Sequence, residues 1–233
     1  DWQGVRLTAE YGSGDSYRFR ASLYEKLAPG LGTAVSGYYT RAGGFFENLA
    51  TDRKCDWERF GGGRWRTQWR NGKGLRLDNS LSFSVLEQGG YPYAYAGEEI
   101  VRDGQTVIRP GEIRYNDPSG YRRTTLSDGL TLRYDAAAFS VSSITSYQYS
   151  DDAMTLDQDF LPLSYFTLRQ ARTEHALTED LVFRSRDDRS YRWLFGVFGF
   201  YRHATMSAPV VFKQTGIEEL ILANANAHDG LYT

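Results

Sequence analysis

The strongest pattern in the chain runs from Ala176 to His203. Two stretches of strand-like alternation flank Arg186-Asp187-Asp188-Arg189-Ser190, a polar sequence of turn type. In the second stretch Tyr191, Trp193, Phe195, Val197 and Tyr201 fall on one face, with Gly199 between them; Arg192 and Arg202 mark the ends of the other. Period-two alternation gives the two sides of a strand unlike environments. An apolar face with aromatic residues at both ends suits lipid with two interfaces better than a soluble core.

The device recurs along the chain. Val5, Leu7, Ala9 and Tyr11 alternate with Arg6, Thr8 and Glu10, and after a turn at Gly12-Ser13-Gly14-Asp15-Ser16 the residues Tyr17, Phe19, Ala21 and Leu23 oppose Arg18, Arg20 and Ser22. Ala28-Pro29-Gly30-Leu31 turns the chain into a third strand over 33–41. The fourth, near 57–70, sets Trp65, Thr67 and Trp69 against Arg64, Arg66, Gln68 and Arg70. Its Gly61-Gly62-Gly63 run implies a bulge or a close backbone approach. A hairpin turn at Asn71-Gly72-Lys73-Gly74 precedes the cleanest strand, with Leu75, Leu77, Leu81, Phe83 and Val85 against Arg76, Asp78, Ser80, Ser82 and Ser84. A sixth strand passes through Leu130, Leu132 and Tyr134, and a seventh carries Phe139, Val141, Tyr147 and Tyr149. Alternation fails over 87–125, over 150–170 and after His203, which predicts long loops there.

The even-numbered connections are short turns and most odd-numbered ones are long. All 6 prolines fall between strands, as expected where each strand has ladder partners on both sides. Short turns at one rim and long loops at the other predict an all-β fold, an antiparallel transmembrane β-barrel of which about nine strands are present. A soluble antiparallel β binding module is the alternative that alternation permits strand by strand. Loop asymmetry and the arginine-rich face of the fourth strand weigh against it.

Composition changes this picture little. The 233 residues include 17 Tyr, 24 Gly and 6 Pro, a mixture that favours strands and turns. Mean hydropathy of -0.52 and the lack of a long apolar run exclude a transmembrane helix but not a barrel, whose strands face lipid only at alternate residues. A net charge of -2 with scattered basic residues offers nothing to nucleic acid. The single cysteine, Cys55, excludes an internal disulfide framework.

Several short motifs, in order, resemble the barrel of TonB-dependent outer-membrane receptors. Gly44-Phe45-Phe46-Glu47-Asn48 is similar to the stretch after an early barrel strand, and Gly63-Arg64-Trp65-Arg66 to the Gly-Arg-x-Arg pattern of the next. Ser143-Ile144-Thr145-Ser146-Tyr147, Asp157-Gln158-Asp159-Phe160, Thr178-Glu179-Asp180-Leu181 and Trp193-Leu194-Phe195-Gly196-Val197-Phe198 fit later positions. The resemblance implies that residues 1–233 are the N-terminal part of such a barrel, without the plug and truncated well below the roughly 22 strands of a complete receptor. It implies an outer-membrane location and energy-coupled uptake of a scarce solute, an iron chelate such as a siderophore, into the periplasm. The partners implied are the TonB complex, acting through the missing plug, and outer-membrane lipid. A passive pore or adhesive barrel is the rival in another class.

No catalytic constellation is visible: His175, His203 and His228 are far apart and lack a spaced nucleophile, so an enzyme is not expected. Neither cofactor nor metal site is expected. Asp151, Asp152, Asp157 and Asp159 match no calcium-loop spacing and read as solvated loop charges. The expected chemistry is binding. Tyr91, Tyr93, Tyr95, Tyr115 and Tyr121 lie near Arg102, Arg122 and Arg123, pairing stacking area with bidentate donors for an anionic chelate. Packing of these tyrosines onto the barrel and neighbouring loops is the alternative. Arg64, Arg66, Arg70, Arg76 and Arg133 are expected to face the lumen, where the resemblance implies contact with a plug.

Overall fold

The computed structural model describes residues 3–186 and 190–224. Nine long strands form one antiparallel meander in chain order: β1 (Gly4–Gly12), β2 (Ser16–Ala28), β3 (Leu31–Ala42), β4 (Glu58–Arg70), β5 (Leu75–Gln88), β6 (Gly120–Asp135), β7 (Phe139–Asp157), β8 (Phe166–Ser185) and β9 (Leu194–Ser207). Val210–Phe212 returns to pair with the start of β8. This is the antiparallel sheet of a partial β-barrel.

Residues directly opposite each other in a ladder share a face. One row across the sheet reads Arg6, Ser22, Ser36, Arg64, Ser82, Ser127, Gln148, Ala176 and Arg202. The adjacent row, on the other face, reads Val5, Leu23, Val35, Trp65, Leu81, Asp128, Tyr147, Leu177 and Tyr201. One side of the sheet is therefore polar and the other mainly apolar. Two hollows lie on the polar side: about 820 Å³ beside Tyr24, Lys26, Arg66 and Arg70, and about 430 Å³ beside Arg64, Ser82, Ser127 and Gln148. The arginines expected to share a face do so. Arg66 bonds Asp78, while Arg76 and Arg133 both reach Asp135. β9 departs from the pattern, since Leu194, Phe198 and Phe200 put apolar groups on the polar side as well.

Several expected boundaries move. The connection placed at 87–125 is 89–119, and it contains a small ladder, Ile100–Arg102 with Gln105–Ile108. The loop placed at 150–170 is only 158–165, because β7 and β8 stay paired from Asp151↔Thr173 to Asp157↔Thr167. Many of these extra residues are polar on both faces, and strands solvated on both sides carry no hydrophobic period. After His203 the strand continues to Ser207 and is followed by a short helical segment over Gln214–Gly216 and Ile217–Leu222. The ninth strand starts at Leu194; Tyr191 and Trp193 precede it, with Trp193 O accepting from Ser185 N at 2.9 Å. Residues 187–189 of the expected turn, and His228, lie outside the described residues.

The glycine run in β4 makes a close approach without a bulge. Its register with β3 and β5 is unbroken, and a Cβ on Gly62 would lie 2.5 Å from Phe83 O.

Connections 43–57, 89–119 and 158–165 gather at one rim, with 13–15 as the short exception. The other rim has 29–30, 71–74, 136–138 and 186–193.

Candidate functional site

The loops at the long rim fold into one cap. Cys55, Ile113 and Tyr115 form its apolar core, and Asn48 ties it together, its Nδ2 donating to Tyr115 O at 2.8 Å. Leu49 N donates to Ile113 O at 2.9 Å, and Gly89 N to Trp57 O at 2.9 Å. Asp56 accepts from the backbone N–H of Phe45 and Phe46 at 2.9 Å. The first two long loops thus share one packed interior. Burial pushes the Cys55 thiol and the Tyr115 phenol up.

The third loop joins through Asp157, which is 0% exposed. Its Oδ2 accepts from Asn116 N at 3.1 Å and Asp117 N at 2.8 Å, while its own N–H donates to Ser119 Oγ at 2.9 Å. Asp159 accepts from Leu161 N at 2.9 Å and from Tyr165 N at 3.2 Å. Asp157 Oδ1 is buried without a hydrogen-bond donor from elsewhere. Burial, reinforced by the charges of Asp159 and Asp117, pushes the Asp157 carboxyl up to about 7; burial raises Asp159 as well. The expectation of solvated loop charges fails for this pair, because Asp157 caps backbone N–H groups of the 89–119 connection and Asp159 caps those of its own 158–165 connection. Asp151 is exposed, as expected.

The segment after β9 closes the cap. Arg102 makes a bidentate pair with Glu219, at 2.9 and 2.6 Å, and donates to Tyr165 Oη at 2.6 Å. Tyr165 Oη in turn donates to Glu219 at 2.9 Å. Lys213 bonds Asp117.

The candidate ligand residues do not form one surface. Tyr115 is 5% exposed and belongs to the cap core. Tyr95 packs its hydroxyl against Gly97, where a Cβ would lie 2.4 Å away. Arg102 is committed to Glu219 and Tyr165. Tyr121 and Arg123 lie on the polar side of β6, where both bond Asp152, Arg123 Nε at 2.5 Å. Arg122 falls on the opposite side, level with Glu87 and Arg59. Tyr91 and Tyr93 remain together, with nearly parallel rings 6.1 Å apart. Tyr93 is 60% exposed and meets the edge of Phe160 at 5.0 Å. Tyr91, Tyr93 and Phe160 form an aromatic ledge that offers stacking area, with Tyr91 near Tyr121, which bonds Asp152. Phe160, Tyr165 and Glu219 were missed because their partners lie 54 to 117 residues away. For Phe160 the Asp157-Gln158-Asp159-Phe160 motif was the available signal.

No protein-family model matches the chain, and no curated protein matches it in sequence. The crystal structure of the ferric yersiniabactin uptake receptor FyuA from Yersinia pestis aligns with a TM-score of 0.70 at 17% sequence identity. The alignment covers 90% of this chain and 32% of that one. The likeness is one of fold. The chain spans about a third of that chain's length, and its nine-stranded meander matches part of a β-barrel wall.

Proposed function

We propose that the chain forms part of the wall and outer cap of an outer-membrane receptor that takes up a small ligand. The carrying observation is the division of the sheet: a polar side with hollows, an apolar side with aromatic residues near its ends, and the two longest connections, 43–57 and 89–119, folded together over one rim. A solvated lumen inside and lipid outside account for both faces at once. Arg64, Arg66, Arg70, Arg76 and Arg133 then face the lumen, and the cap faces the cell exterior. The fold likeness to an uptake receptor for a ferric chelate supports an iron chelate as ligand, with transport driven through TonB and a plug.

On this reading Tyr91, Tyr93 and Phe160 contact the ligand while Tyr115 and Arg102 hold the cap. The test uses the full-length protein. It is expected in the outer-membrane fraction with heat-modifiable mobility, and its tyrosine and tryptophan fluorescence is expected to change on titration with a ferric chelate. Tyr93→Ala should weaken that binding roughly tenfold, the scale of one lost aromatic stacking contact. Recovery in the soluble fraction overturns the membrane reading. Absence of binding to any ferric chelate, with iron-limited growth unaffected by gene deletion, overturns the iron reading alone.

A further inference from the structure

The apolar side of the sheet is interrupted near its middle. The register row Thr33, Thr67, Asn79, Leu130, Thr145, Glu179 and Gly199 lies on that side, and the neighbouring row carries Asp128 between Leu81 and Tyr147. Asn79 and Glu179 stand four residues from the girdle row of Leu75, Tyr134 and Phe183. That is roughly 14 Å along the strand, or roughly 10 Å of depth at barrel tilt, within an apolar band roughly 25 Å tall. Two carboxylates therefore sit on the lipid-facing wall at mid-depth, where ionisable groups are rare and normally partnered.

Local hydrogen bonds use up the donors at hand. Asp128 Oδ1 accepts from Asn79 Nδ2 at 2.9 Å, and Glu179 accepts from Ser143 Oγ at 2.6 Å and Thr145 Oγ1 at 2.5 Å. Among the described residues neither carboxylate forms an ion pair. Among the described residues of the nine strands, this side carries arginine only at Arg41, Arg59 and Arg122, in one row at the cap rim, and at Arg169 beyond it.

On β7, β8 and β9, level with Asp128 and on the cap side of Glu179, the wall has a recess of about 270 Å³ lined by Tyr147, His175, Ala176, Leu177, Tyr201 and His203. Tyr147 Oη is fixed by His175 Nδ1 at 2.9 Å. At Gly199, opposite Glu179, the wall is open, with no atom within 4 Å of where a Cβ would stand. Aromatic rings flanked by carboxylates suit a cationic side chain, held by the ring faces and neutralised by the acids.

We infer that this recess docks a lysine or arginine carried by a membrane-embedded segment of a partner protein. The inference rests on the membrane reading proposed above. A second copy of the chain would oppose carboxylate to carboxylate, and lipid phosphates are repelled by the same charges.

The experiment places a benzophenone amino acid at Gly199 of the full-length protein in its native membrane. The expected result is a crosslink to another membrane protein, mapped by mass spectrometry to a peptide containing Lys or Arg. Its yield should fall at least tenfold in the Asp128→Asn/Glu179→Gln double variant, which retains heat-modifiable mobility. If the double variant does not fold, Glu179→Gln alone is used, since an amide oxygen can still accept from Ser143 or Thr145. The same probe at Thr178, on the polar side, should give no such product. Undiminished yield in the folded variant, crosslinks to a second copy or crosslinks to lipid alone overturn the inference and leave the membrane reading standing. Absence from the membrane fraction overturns both.

Discussion

The cap should loosen as pH rises, and Asp157 is the reason. Its carboxyl is enclosed beside Asp159 and accepts two backbone N–H bonds at the base of the 89–119 loop. Burial raises it to about 7, against about 3.9 in an unfolded chain. A carboxyl raised by folding contributes most when protonated in both states, below about pH 4. That contribution declines as pH climbs toward about 7 and then stays flat, because over this interval the folded form holds a proton the open form has released. At 1.36 kcal/mol for each pH unit the ceiling is about 4 kcal/mol, and Asp159, also raised, acts in the same direction. The assay is amide hydrogen exchange on the full-length protein, corrected for the intrinsic pH dependence of exchange. Protection at Asn116, Asp117, Leu161 and Tyr165 should fall by one to two orders of magnitude (roughly 1.4 to 2.7 kcal/mol) between pH 4.5 and 7.5. Asp157→Asn removes that titrating proton while keeping an oxygen for the two N–H groups, so its protection should fall less steeply with pH, by the share that Asp159 contributes. Equal slopes in the two proteins, or protection that rises with pH in the wild type, would refute the assignment.

Other outcomes follow from single contacts. Asn48→Ala removes a buried donor to Tyr115 O and an acceptor for Ala50 N, and should destabilise the cap by about 1–3 kcal/mol, seen as faster proteolysis within 43–57. Gly62→Ala places a methyl group against Phe83 O and should cost about 1–3 kcal/mol in urea unfolding, whereas Gly199→Ala, in open space, should stay within about 0.5 kcal/mol. Arg102→Ala should speed exchange in the 100–108 hairpin and around Tyr165. Because the pair with Glu219 is solvent-accessible, that effect should shrink as salt is added.

The wall was legible in the sequence because each strand there has one mainly polar and one mainly apolar side. Such alternation writes the strand into the residue order, and the roughly nine strands expected correspond to the nine long strands observed. The same signal vanishes at the cap rim. β7 and β8 continue together past Ser150 with Asp151, Asp152, Thr155, Arg169 and Arg172, and with polar residues on both sides no hydrophobic period marks this part of the ladder. The cap was opaque for a different reason. Its order comes from polar groups that satisfy the backbone: buried Asn48 donates to Tyr115 O, buried Asp157 accepts from two N–H groups of another loop, and half-buried Asp159 accepts within its own connection. Side chains of this kind read as surface until their partners are known.

Asn79 shows how the two kinds of information combine. In the fifth strand it replaces an apolar residue between Leu77 and Leu81, a single gap in otherwise regular alternation. Taken alone, one polar residue on an apolar face is ordinary in any strand. The register sets it in line with Thr145 and Glu179 and one row from Asp128, which lie on three other strands. Local sequence carries no information about height, which depends on the accumulated shear of every intervening hairpin. A polar position that is unremarkable in each strand becomes, once the rows are aligned, a charged patch in the middle of an apolar wall, and under the membrane reading proposed above a wall facing only lipid offers no physical reason to keep it.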